Sequence, residues 1–151
     1  MVPENTTFLG DDLYCKQPFC EQLIQMQKHF ILVCKPDSHK TLYGWVDDFE
    51  RLGKIENIII NESKGKKKVK KHYRFVNQVP LRDTDDALFV NWCELTITND
   101  KNKIIYCNAF ATEPYFLGCC CISCPSFSMR LALRSEIPAF AADFTWELFL
   151  R

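Results

Sequence analysis

Residues 29–34, His-Phe-Ile-Leu-Val-Cys, form a continuous apolar run closed by Lys35-Pro36. A run that short and that uniformly apolar reads as a buried strand. Residues 6–9 make a second short apolar segment, stopped by Gly10-Asp11-Asp12, and read the same way. Between them, Pro18 suits a first helical turn, and Phe19, Cys20, Leu23 and Ile24 recur at helical spacing through about Lys28. After the run, Ser38 is placed to cap a second helix with Leu42, Trp45, Val46 and Phe49 on one face, and Gly53 to end it. Strand, helix, strand, helix predicts an α/β layer in which the two strands pair in parallel.

The texture changes after Gly53. Residues 55–61, 69–79, 88–98 and 103–110 are β-branched or aromatic, and turn residues separate them at 61–65, 80–86 and 99–102. Four strands with short links predict an antiparallel meander. A boundary is expected near residue 54, giving an α/β segment 1–54, a β-rich segment 55–112 and a cysteine-rich tail 113–151 without a clear period.

Composition narrows the function classes. The 151 residues suit one domain, and 47% of them are hydrophobic, so a core is affordable and disorder is not the default. Nineteen basic and nineteen acidic residues cancel, so contact with nucleic acid requires a local patch. Nine cysteines at irregular spacing do not make a secreted disulfide framework. With no apolar leader and no run of about 18 apolar residues, the expectation is a cytoplasmic protein without a membrane partner.

Three groups of residues bear on chemistry. Asp11 and Asp12 follow a predicted strand at its carboxyl end, where α/β folds place ligands, and carboxylates there suit hard divalent cations. The plainer alternative is a turn. Lys64, Lys66, Lys67, Lys68, Lys70 and Lys71 place six lysines within eight residues, enough to neutralise phosphates without reading bases, or simply a solvated hairpin tip. Cys121 and Cys124, beside Cys119 and Cys120, have half the spacing of a zinc site, but a second pair is missing, so the cysteines read as chance thiols. His29 opens an apolar strand and reads as structural, while Trp45 and Trp92 read as core or interface anchors.

The stretch from Phe8 through Gly10-Asp-Asp-Leu-Tyr-Cys15 to Leu23, followed by His29-Phe-Ile-Leu-Val-Cys-Lys-Pro-Asp-Ser-His39 and Lys40 to Trp45, resembles the middle of a DDE-type insertion-sequence transposase. The resemblance resumes over 73–83, 86–96 and 106–112, and covers roughly residues 6 to 112. It implies a partial ribonuclease H-like core followed by a β-rich insertion. It also implies DNA as partner, oligomers acting on DNA ends, and two magnesium ions held by two aspartates and a glutamate. Asp11 matches the family's second aspartate, with Asp12 as second choice. Lys66, Lys67, Lys68, Lys70 and Lys71 become the expected DNA contacts. The pattern is incomplete. Glu4 is the only acid before Asp11, and the sequence beyond Thr112 departs from the family, so neither Glu136 nor Glu147 takes the glutamate's role. The function implied is DNA transposition, here in a truncated and inactive remnant. The rival is a non-enzymatic nucleic-acid-binding protein using the basic segment 64–74.

Overall fold

Two short strands, Thr7–Gly10 (β1) and His29–Val33 (β2), run side by side in parallel, with Thr7 opposite His29 and Gly10 opposite Leu32. They belong to a computed structural model that describes residues 6–65 and 67–114 of the chain. The link between them is a helix, Gln17–Gln25 (α1), with Pro18 in its first turn as the sequence predicts. It stops short of Lys28 because Gln27 takes a left-handed backbone (φ 54°), and the Lys28 N–H bonds back to the Leu23 carbonyl at 2.8 Å. The second helix, Lys40–Arg51 (α2), ends at Gly53, whose φ of +66° favours a residue without Cβ. The Lys54 N–H then reaches the Phe49 carbonyl at 2.8 Å. Ser38 does not cap this helix: the cap position falls to His39, which makes no capping bond through its side chain.

The predicted meander forms as Glu56–Lys64 (β3), Lys67–Pro80 (β4), Phe89–Asn99 (β5) and Ile104–Thr112 (β6), each antiparallel to the next. Its last strand returns to pair antiparallel with β2, Leu32 opposite Ala111. The result is a single mixed sheet in the order β1-β2-β6-β5-β4-β3. The boundary expected near residue 54 lies in the link between α2 and β3, and the sheet runs across it. Of the tail 113–151, only Glu113 and Pro114 are among the described residues.

Register explains the core. Val76, Trp92, Ala111 and Leu32 are neighbours across four strands and therefore share one face. On that face they pack with Cys20 and Leu23 of α1 and Leu42 and Val46 of α2. Both helices thus lie on the same side. The adjacent row, Phe75, Cys93, Phe110 and Val33, is also buried and points to the opposite face. Two buried faces account for strand sequences that are apolar nearly throughout in β2 and in the first half of β5. Arg74 ties α2 down: its guanidinium donates to Glu94 Oε1 at 2.9 Å and to Glu50 Oε1 at 2.6 Å, and lies 5.9 Å from the Trp92 ring centre. Trp92 is the buried anchor the sequence predicts, whereas Trp45 is 42% exposed beside Phe49.

Glu113 closes the sheet at the start of β2. Its Oε2 accepts the buried Phe30 N–H at 2.9 Å, its Oε1 lies 2.6 Å from His29 Nδ1, and its carbonyl accepts from Asn91 at 3.0 Å. Burial pushes its carboxyl pKa above the ordinary 4.5, against the opposing pull of Phe30 and His29. A carboxyl with a raised folded-state pKa stabilises the fold fully below its unfolded value, and that contribution is lost as pH rises through the folded value. Glu113→Gln removes this titration. Folding stability measured from pH 4 upward is therefore expected to fall less steeply in the variant than in the native chain; parallel profiles would contradict the assignment.

Candidate functional site

The carboxyl end of β1 is built by a close approach. A Cβ at Gly10 would lie 2.7 Å from Leu32 Cδ2, so glycine lets the Leu32 side chain pack over the strand end without shifting. The chain then turns, with Tyr14 N–H bonded to the Asp11 carbonyl at 3.0 Å and Cys15 N–H to the Asp12 carbonyl at 3.3 Å. This turn separates two aspartates that look equivalent in the sequence. Asp11 is exposed, and its Oδ1 accepts the Asp12 N–H at 2.6 Å. Asp12 is buried, and its Oδ1 accepts the Lys35 N–H at 2.7 Å from the loop after β2.

Burial alone would raise the Asp12 pKa, but a hydrogen bond from Ser38, the Lys35 amide, and the charges of His39 and Lys16 hold it below 3.8. The Ser38 side chain therefore serves Asp12 and not the helix. His39 Nε2 lies 3.3 Å from Asp12 Oδ1, within ion-pair range but outside hydrogen-bond geometry. Burial pushes the His39 pKa down, with Asp12 opposing. Asp12 is thus a structural clasp between two loops, and Asp11 is the carboxylate presented to solvent.

Beside Asp12 lies a group of side chains that no spacing in the sequence singles out. Cys15, Cys34 and His39 are all buried, and each places a possible ligand atom within 4.8 Å of the other two. Cys20 joins them through a hydrogen bond with Cys15. That hydrogen bond and burial raise the Cys20 pKa far above the usual thiol range. For Cys15, the bond with Cys20 favours the thiolate, but the bond with Cys34 and burial prevail and its pKa also rises. Cys34 and His39 share the loop between β2 and α2, and the parallel pairing of β1 and β2 brings Cys15 from the loop after β1 to them. The Cys121–Cys124 pair lies outside the described residues.

The resemblance calls for magnesium, and the described residues do not fit a two-magnesium centre. Among them, Asp11 belongs to no group of three potential ligands, and Cys15, Cys34 and His39 offer sulfur and nitrogen where magnesium takes oxygen.

The basic segment forms the tip of the β3–β4 hairpin, turning at Gly65 (φ +62°). Lys66 lies outside the described residues. Strand alternation puts Lys68 and Lys70 on one face of β4 and Lys67 and Lys71 on the other. Lys68 and Lys70 are exposed, whereas Lys71 is drawn in and paired with Glu62 at 2.9 Å. A shallow depression lined by Asn61, Ser63, Lys68, Lys70, Asn99 and Asp100 marks this surface. A second, lined by Thr41, Trp45, Asp48, Arg51 and Asp83, lies over α2; neither includes Asp11 or the thiols. No helix among the described residues is long and apolar enough to cross a membrane. Set against known proteins, the chain matches no family model, no curated protein and no solved structure.

Proposed function

We propose that the chain is part of a DDE-type transposase that contacts DNA without cutting it by itself. The observation that carries this reading is Asp11, exposed at the carboxyl end of a strand paired in parallel with its successor through α1. That is where an α/β fold presents reactive groups, and it is the position that the resemblance gives to the second aspartate. In this reading β1, α1 and β2 are a piece of a ribonuclease H-like core, and β3 to β6 are the β-rich insertion. β1 is the edge strand among the described residues, so a further strand bearing another carboxylate has a place to pair. Alone, Asp11 lacks the partners that two-metal phosphodiester chemistry requires.

A non-enzymatic nucleic-acid-binding protein is the second reading, favoured by the exposed neighbours Lys68 and Lys70. The coding sequence on either side separates the two: an acidic strand upstream and a glutamate-bearing helix downstream belong only to the transposase.

The direct test combines duplex DNA, magnesium or manganese, and the purified chain. Binding is expected to be weak, indifferent to sequence and steeply salt-dependent. Replacing Lys67, Lys68 and Lys70 with glutamine is expected to reduce the slope of log affinity against log salt by roughly 0.9 for each phosphate no longer neutralised. No cleavage or strand transfer is expected. An unchanged slope returns the hairpin to a solvated tip, and cleavage abolished by Asp11→Asn overturns the claim of inactivity.

A further inference from the structure

We propose that Cys15, Cys34 and His39 bind one zinc ion that fastens the loop after β1 to the loop after β2. The inference does not rest on the transposase reading. Three donors of the type zinc prefers, one from the loop after β1 and two from the loop after β2, are fully or almost fully buried and lie within 4.8 Å of one another. Zinc–sulfur bonds of about 2.3 Å and zinc–nitrogen bonds of about 2.0–2.1 Å place neighbouring donors of a tetrahedron roughly 3.3–3.8 Å apart. A contraction of about 1 Å or less at any one donor therefore completes three corners. Thiolate and imidazole also select zinc over magnesium or calcium, which take oxygen.

The second observation is independent. The His39 side chain is 4% exposed, and its Nε2 is buried without a hydrogen-bond partner among the described residues. Its neighbour is the Asp12 carboxylate, 3.3 Å away in ion-pair range. Asp12 thus stands where it can orient the His39 ring toward an ion held by the cluster. Carboxylates commonly orient metal-bound imidazoles in this way. The fourth corner falls to a group bordering the three: the Cys20 thiol, hydrogen-bonded to Cys15, or the Asp12 carboxylate, 3.3 Å from His39 Nε2. On binding, the zinc ion displaces one proton to solvent from each ligating thiol, two for Cys15 and Cys34 and a third where Cys20 fills the fourth corner, and no redox step is involved. The ion would hold in place the two loops that carry Asp11 and Lys35.

The test uses the full chain, kept reduced, with zinc and with cobalt(II) as its spectroscopic substitute. One zinc per chain is expected at this site, and cobalt is expected to give the visible bands of a tetrahedral ion together with thiolate charge transfer. The intensity of the charge-transfer band tells whether two or three sulfurs are bound. Cys34→Ser and His39→Asn are expected to weaken zinc binding by more than the roughly 10- to 100-fold that removing a hydrogen bond to a ligand causes. Cys107→Ser and the double variant Cys121→Ser/Cys124→Ser are expected to retain this ion. The native chain itself decides the matter if a variant fails to fold. Absence of a thiolate–cobalt signature in the native protein overturns the proposal. So does metal that survives Cys15→Ser/Cys34→Ser but is lost with Cys121 and Cys124.

Discussion

Replacing Asp12 with alanine is expected to destabilise the fold by about 3 kcal/mol, while Asp11→Asn changes stability by no more than about 0.5 kcal/mol. The two residues are adjacent and chemically identical, so the contrast comes wholly from their surroundings. Asp12 is buried, and its carboxylate accepts the Lys35 amide at 2.7 Å and a hydrogen bond from Ser38. A hydrogen bond to a charged acceptor contributes roughly 1.5–3 kcal/mol, and its removal leaves a donor with no partner inside the protein. Asp11 is exposed, and water replaces its local bond to the Asp12 amide. Urea denaturation of both variants checks this, with a lower midpoint at unchanged m-value expected for Asp12→Ala alone. Equal shifts would mean that Asp12 is not the clasp between the two loops. The same pair then bears on function, because Asp11→Asn becomes a variant in which any loss of DNA or metal binding is not a folding defect.

Trp92→Ala is expected to cost more, roughly 3–5 kcal/mol. Trp92 is 1% exposed and sits between Val76 and Ala111 on the helix-bearing face of the sheet. Tyr43 of α2 meets it edge-on with ring centres 6.0 Å apart, and the Arg74 guanidinium lies 5.9 Å from its ring centre. Truncation therefore removes the largest buried side chain of that face and the surface on which α2 rests. Trp92→Phe keeps an aromatic ring there and is expected to lose clearly less. Thermal or urea unfolding of the two variants is the measurement, and an alanine variant within about 1 kcal/mol of the native chain would show that the core under α2 collapses to fill the space.

The local elements were legible in the residues. Apolar runs stopped by Gly10 and Lys35-Pro36 became β1 and β2, the helical spacing after Pro18 became α1, and Gly53 ended α2 in a left-handed conformation. Four β-rich segments became a meander with ends shifted by a few residues. These features depend on side-chain period and turn chemistry, which act over a few positions and are readable from a single chain. Ser38 misled because its hydroxyl had a buried carboxylate to serve, a partner 26 positions away that no capping rule includes.

What only the tertiary structure decided is which distant residues meet. Pairing of Leu32 with Ala111 joins the α/β segment to the meander in one sheet. Parallel pairing of β1 with β2 brings Cys15, Cys34 and His39 together and divides Asp11 from Asp12, one to solvent and one to a buried clasp. Strand alternation divides Lys67 and Lys71 from Lys68 and Lys70, though all four belong to one run of charge. The physical reason is common to these cases. Sequence period states which side of its own element a residue takes, whereas register between strands, set by burial of both sheet faces, decides what that side touches.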